Sequence, residues 1–192
     1  NTLLQQIQQG APADVFASAN TAYPQQLYAE GTCETPVVYA SNWVVVIVPK
    51  ANPAGIRTVS DLTNPGVEIV IAGVGVPDGD YTRTILRRLG IAKEVMANVV
   101  SNETDVKGVA SKIALGEADA GFVYRTDVVS VATEVSFVRI PASAQPSVRY
   151  SMCVLRSSSN LAAARAFQAR VLGPVGRGNL SGALFGLPPK QP

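Results

Sequence analysis

Val67–Gly90 reads VEIVIAGVGVPDGDYTRTILRRLG, three kinds of sequence in succession. Val67 to Ala72 is an unbroken apolar run of strand length. Thr82 to Leu89 puts Ile85, Leu86 and Leu89 on one face of a helix and Arg83, Arg87 and Arg88 on the other, and Gly90 supplies the stop. GVGVPDGD between them is too rich in Gly and Pro for either element and reads as a turn. A strand, a tight loop and a helix in that order form the unit of an α/β fold. They aim free backbone N–H groups and the positive helix end at an anion.

Upstream, Val37 to Val48 reads as strand, interrupted near Ser41 and Asn42. Its second half, WVVVIV, is apolar on both faces and therefore central in a sheet, with Trp43 read as core. The chain opens in a helix: Leu3, Leu4 and Ile7 face inward, glutamines face water, and Gly10 ends it. Asp14 to Ala17 reads as a short strand, and Asn20 as the N-cap of a helix running to Glu30, with Pro24 in its first turn. Pro49 to Gly55 reads as a linker and as the crossing between two lobes, and Ser60 to Leu62 as a short capped helix. An α/β lobe ordinarily begins with a strand, so the opening helix implies that a first strand–helix–strand unit is missing from this chain.

Downstream come a short helix, Ala92 to Ala97, and a strand at Val99 and Val100. Asn102 or Thr104 is placed as the cap of a helix with Val106, Val109, Ile113 and Leu115 inward, ended by Gly116. Ala120 to Tyr124 reads as a strand, Thr126 to Val131 as a short helix and Val135 to Ile140 as a strand. Val148 to Leu155 is a long strand and the return crossing; helices follow at Leu161 to Leu172 and Gly178 to Phe185, then an irregular PPKQP tail. The expected division is residues 1–48 with 150–192 in one discontinuous lobe and 49–149 in the other. Strands alternating with helices predict an α/β fold with a mostly parallel sheet.

The totals exclude several kinds of chemistry. A chain of 192 residues, 47% apolar and 16% charged, buries a real core and is not disordered. A net charge of +2 without a basic block argues against nucleic acid. The longest apolar run, Trp43 to Val48, is too short to cross a bilayer. The absence of histidine removes Ser-His-Asp and Cys-His catalysis and histidine metal sites. Cys33 and Cys153 are either two buried thiols or one long-range disulfide that needs an oxidising compartment; the polar GTCET context of Cys33 favours the disulfide. No signal peptide is present, which leaves a cytoplasmic protein or a processed form.

IQQGAPADVFASAN, NWVVVIVPKANP, SDLTNPGVEIVIAGVGVPDGDYTR and EADAGFVYRTDV, in that order, closely resemble the periplasmic molybdate-binding proteins of ABC importers. The likeness runs from Asn1 nearly to the end of the chain, and QGAPADVF followed by VPxGxY and GxVYxTD is a specific combination. The resemblance implies an α/β, two-lobed type II periplasmic-binding-protein fold: three-layer α/β/α lobes, a hinge and an interlobe cleft holding the anion. It implies capture of molybdate or tungstate outside the cytoplasmic membrane, in the periplasm or at the cell surface, by a monomer that serves ABC permease subunits. It implies no enzymatic activity, no cofactor beyond the oxyanion itself and no free metal cation. Three positions carry over as ligand-binding residues. Asp78, after Pro77, sits where the family offers a backbone N–H in VPxGxY. Val106, after Asp105, sits where it offers a second N–H at a helix start. Tyr124, in GFVY, sits where it offers a phenol. The family's remaining hydroxyl ligands would fall in the missing opening unit and immediately before Asn1, which leaves about half of the site here.

The chemistry agrees with that likeness. Molybdate and tungstate are dianions without a proton at neutral pH, so a selective site needs only donors. Each charge-assisted hydrogen bond contributes about 1.5–3 kcal/mol. Asp78 departs from the family's small neutral residue: pointing outward its side chain is harmless, pointing inward it repels a dianion or accepts the proton of hydrogen phosphate.

Each of these features also has a plainer reading. The loop reads as a βα connection, Tyr124 as a half-buried aromatic, Val106 as helix core, and the three arginines as a solvated face. GVGVPDG imitates a dinucleotide fingerprint, but its third glycine comes one residue late and Pro77 stiffens it. Competing functions are a phosphate or sulfate binder, an effector domain without its helix-turn-helix, an α/β enzyme on a phosphorylated substrate, and a truncated chain that binds nothing.

Overall fold

The computed structural model describes residues 1–188; the tail at 189–192, expected to be irregular, lies outside the described residues. The chain forms two compact units, one from residues 1–42 with the chain from Val148 onward, the other from Trp43–Ser147. The first crossing thus comes at Asn42–Trp43, ahead of the Pro49–Gly55 linker, and the return comes at Ser147–Val148. Strand pairing explains the shift. The WVVVIV strand hydrogen-bonds inside the inserted unit and so belongs to it.

The discontinuous unit holds an antiparallel sheet of β1 (Val15–Ser18), β2 (Val37–Asn42) and β8 (Val148–Val154), with β8 in the middle. Its helices are α1 (Thr2–Gln8), α2 (Ala22–Ala29), α6 (Leu161–Leu172) and α7 (Pro174–Gly182). The N-cap of α2 is Thr21, one residue after the expected Asn20, whose Oδ1 accepts the Tyr23 N–H at 3.1 Å from just outside the helix. Leu4, Phe16, Leu27 and Leu155 pack around Cys33 and Cys153, which form a disulfide. Leu3, expected inward, is exposed, since only the Leu4 and Ile7 side of α1 meets the core.

The inserted unit holds a five-stranded sheet in the order β5-β4-β6-β3-β7, from β3 (Val44–Pro49), β4 (Ile69–Ala72), β5 (Val99–Glu103), β6 (Ala120–Tyr124) and β7 (Val135–Val138). It is mixed, contrary to the mostly parallel sheet expected. β4 runs parallel to β5 and β6, whereas β3 is antiparallel to both β6 and β7. Apolar periodicity reports burial and carries no direction, so the reversed β3 left no mark in the sequence. Side chains alternate across the sheet. Val45, Ile47, Val70, Ala72 and Val123 pack against Val109, Ala110 and Ile113 of α5 (Val106–Ala114). Val44, Val46, Ile69, Ile71, Phe122 and Tyr124 fill the other face, where α3 (Pro77–Leu89) lies. Leu115, expected inward, is 73% exposed, because it falls after the last turn of α5, two residues from the buried Ile113. Trp43, expected in the core, is 45% exposed, with the Arg125 guanidinium 5.9 Å from its ring centroid.

The helix after β4 starts five residues earlier than Thr82. Pro77 occupies its first position, Asp78 and Asp80 lie in its first turn, and Gly90 closes it in the left-handed conformation at φ 72°. Pro suits a first helical position, and the two acids complement the positive helix end. Gly79 is demanded by contact: a Cβ there would stand 2.3 Å from the Ala72 carbonyl oxygen and 2.4 Å from that of Gly73. In an unhindered helix Gly→Ala gains about 1 kcal/mol. Here Gly79→Ala is expected to lose about 1–3 kcal/mol through overpacking, read as a lower midpoint in urea denaturation. A raised midpoint would mean that α3 can shift freely.

Candidate functional site

β4, β5 and β6 run the same way, so their carboxyl ends share one edge of the sheet. The chain leaves β4 into α3, β5 into α5, and β6 into a short 3-10 helix at Asp127–Val131. Three helical N-termini therefore open at that edge, the usual position of a ligand in an α/β sheet. Two hydrogen bonds tie the β4–α3 and β5–α5 loops into place. The Gly73 N–H donates to the Glu103 carbonyl at 2.8 Å, and the Gly75 N–H to Asp80 Oδ1 at 3.1 Å.

Asp78 is the second residue of α3. The Asp80 N–H, bonded to the Val76 carbonyl at 3.0 Å, is the first to turn back into the helix, so the N–H groups of Asp78 and Gly79 lie ahead of it. The Asp78 side chain points inward and is 1% exposed, and neither carboxyl oxygen has a hydrogen-bond partner among the described residues. Burial pushes this carboxyl well above the usual carboxylate range, and the nearby Asp127 charge adds to the shift.

Val106 opens α5. The cap is Asp105, not Asn102 or Thr104, and its Oδ1 accepts the Gly108 N–H at 2.9 Å. The Val106 and Lys107 N–H groups precede that bond, while the Val106 side chain packs on the core between sheet and helix. Tyr124 ends β6, 4% exposed, its ring edge-on to Tyr81 at 6.5 Å. Its N–H donates to Asp127 Oδ2 at 3.1 Å. The three residues thus stand at one edge of one unit, two through helix starts and one through a strand end.

Three further residues belong to this edge: Asp127, Thr82 and Arg83. Asp127 links all three positions: it receives the Tyr124 N–H, repels Asp78 and attracts Lys107 beside Val106. Its carboxyl is pushed up to about 6, burial outweighing the Tyr124 N–H and the Lys107 charge. Thr82, one turn beyond Asp78, is fully buried and its hydroxyl has no partner among the described residues. Arg83 is not the solvated residue expected. Its Nη1 donates to the Ala72 and Gly79 carbonyls, both at 2.9 Å, and its Nη2 to Asn102 Oδ1 at 3.1 Å, clamping β4, α3 and β5 together. Arg88 likewise donates to the Gln145 carbonyl at 2.6 Å. A hollow of about 440 Å³ lined by Trp43, Arg125, Phe137 and Arg139 lies in the same unit and includes none of Asp78, Val106 and Tyr124.

Residues 1–182 match a family described as bacterial extracellular solute-binding protein. The molybdate-binding protein ModA of Mycobacterium tuberculosis is 41% identical over 187 residues, covering 97% of this chain and 70% of that protein. The protein of the same name from Escherichia coli is 28% identical over 182 residues, 91% of this chain and 70% of its own length. Among solved structures, the periplasmic molybdate-binding protein of Azotobacter vinelandii superposes with a TM-score of 0.86 at 25% identity, over 97% of this chain and 84% of that one.

Proposed function

Because the chain belongs to the family of bacterial extracellular solute-binding proteins, we propose that it captures the tetrahedral oxyanion molybdate or tungstate and delivers it to an ABC permease. The gathering of the Asp78 and Val106 helix starts and Tyr124 at one sheet edge carries this reading. Backbone N–H groups at helix starts offer donors and partial positive charge without a mobile cation, which suits a ligand whose four oxygens only accept. They touch the oxygens, not the metal within. The oxyanion is the ligand itself, so no cofactor enters, and the protein carries out no reaction: its output is binding and release.

A position outside the cytoplasmic membrane agrees with the Cys33–Cys153 bridge, which persists in oxidising surroundings. Among the described residues no helix is long and apolar enough to cross a membrane. Capture and release require only one copy of the chain, and nucleic acid has no part in them.

One observation favours a second reading, hydrogen phosphate. The inward Asp78 could accept the proton that this anion carries and molybdate lacks. A thermal-shift titration separates the two. Molybdate and tungstate, rather than phosphate or sulfate, are expected to raise the melting temperature by mass action. A response to phosphate alone would hand the site to the second reading. Within the first, Tyr124→Phe removes one donor and is expected to weaken molybdate binding roughly tenfold or more while the unliganded protein stays folded. Unaltered affinity would remove the phenol from the site.

A further inference from the structure

The face of α3 that meets the sheet is apolar at Ile85 and Leu86 and polar toward its N-terminus, at Asp78 and Thr82. Both polar side chains are buried, and neither has a hydrogen-bond partner among the described residues. Buried polar groups are ordinarily satisfied, and an unpaired buried carboxylate is among the costliest groups a fold can hold.

Among the described residues nothing around Asp78 supplies a compensating cation. Asp127, on the 3-10 helix after β6, repels it, and Lys107 acts on Asp127. On α3 itself, Arg83 is committed to two carbonyls and Asn102, and Asp80 to the Gly75 N–H. β3, β4 and the turn at Ala142–Ala144 carry no ionisable side chain, β6 carries Tyr124, and α4 (Ala92–Ala97) carries the exposed Lys93 and Glu94. The group that best suits this position is a carboxylic acid that keeps its proton, an O–H donor beside the free N–H groups of α3.

We propose that Asp78 determines specificity as a proton-bearing donor: its O–H points a hydrogen bond at the bound oxyanion, and binding takes up a proton from solvent only where the unliganded carboxyl has lost it. The inference rests on the oxyanion reading above. It turns an apparent obstacle, an acid in an anion site, into part of the donor set. The proton stays on Asp78 and no bond is made or broken in the ligand. Burial favours this form before the ligand arrives, and the ligand's negative charge favours it further.

The sign follows from linkage. Below the unliganded pKa of Asp78 the proton is already present and affinity is flat. Above it, each unit of pH weakens molybdate binding by up to about tenfold, because the proton must return before the anion settles. Molybdate itself carries no proton across this window.

The test is calorimetric titration of molybdate into the whole protein between about pH 6 and pH 9, in two buffers of different ionisation enthalpy. The expected result is a flat affinity without uptake while Asp78 holds its proton, then, once pH passes its unliganded pKa, uptake approaching one proton with dissociation constants that rise with pH. Asp78→Asn, which offers an N–H that does not titrate, is expected to bind with a flat profile. Asp127→Asn removes a repelling charge, lowers the pKa of Asp78 and moves the onset of weakening to lower pH. Asp78→Ala, which offers no donor, is expected to bind molybdate at least tenfold more weakly than wild type; an Asp78→Ala variant that binds like wild type overturns the inference and leaves the oxyanion reading standing. No response to molybdate or tungstate at any pH overturns both.

Discussion

Replacing both cysteines, Cys33→Ala with Cys153→Ala, is expected to lower the stability of the discontinuous unit by about 4–5 kcal/mol. The bridge joins residues 120 positions apart and encloses the whole of the inserted unit between its ends. Closing so long a loop removes much of the freedom of the unfolded chain, and the loss grows with the logarithm of loop length. The discontinuous unit depends on this more than an ordinary domain would. Its sheet needs β1 and β2 from the start of the chain to meet β8 from near its end, and without the covalent link that meeting is made by β pairing and packing alone. The inserted unit lies inside the loop and is spared. Urea denaturation should therefore separate into two transitions, the earlier one lost with far-UV signal from the discontinuous unit. Coincident midpoints for the wild type and the double variant would show that the native packing, not the bridge, holds the two chain segments together.

Cys33 also shows how a correct expectation can rest on a mistaken reason. Its neighbours in GTCET are polar, which suggests a thiol with little to gain from burial. In the fold Cys33 is fully buried beside Leu27, Leu155 and Cys153, although the loop around it is wet. Local polarity describes a segment, whereas burial belongs to one side chain. Elements with a full apolar period were legible in their existence and type: β6, α5 and α6 stand close to where their patterns put them. The start of α3 lies five residues ahead of the expected Thr82 because Gly and Pro are not only breakers. Pro77 at the first helical position and acids in the first turn are equally start signals, and the contact that demands Gly79 comes from β4, six residues and more upstream.

The same shift hides part of the candidate site. Had α3 been drawn from Pro77, Asp78 and Thr82 would have fallen four apart on the side of Ile85 and Leu86, announcing a buried polar pair. Arg83 gave no such warning. Its stem lies on the polar side of the helix, and only the fold brings the Ala72 and Gly79 carbonyls under its fork. Asp127, in the YRTD turn, is visible as a residue but not as the hub between Tyr124, Asp78 and Lys107, because Asp78 and Lys107 stand far from it in sequence and only the fold brings them near.

Val106→Pro should weaken molybdate binding about 10- to 150-fold, the equivalent of one hydrogen bond to a charged acceptor at about 1.5–3 kcal/mol. Proline deletes the N–H at this position without breaking the helix. Val106 is the first residue of α5, where proline is favoured and the missing donor leaves the helix ladder intact. Asp105 before it is already extended, at φ −155° and ψ 168°, the conformation that a following proline requires. The Asp105 cap on Gly108 is untouched, so the helix start should survive. Val106 does pack partly on the core, and some loss of stability must be separated from loss of the donor. Val106→Ala does this: it trims the side chain and keeps the N–H. If the alanine variant binds like wild type and the proline variant does not, the backbone donor is the ligand. If both weaken alike, the side chain's packing sets the geometry and the N–H of Val106 leaves the site. If neither weakens, the N–H of Val106 leaves the donor set, and this helix start can contribute only through Lys107.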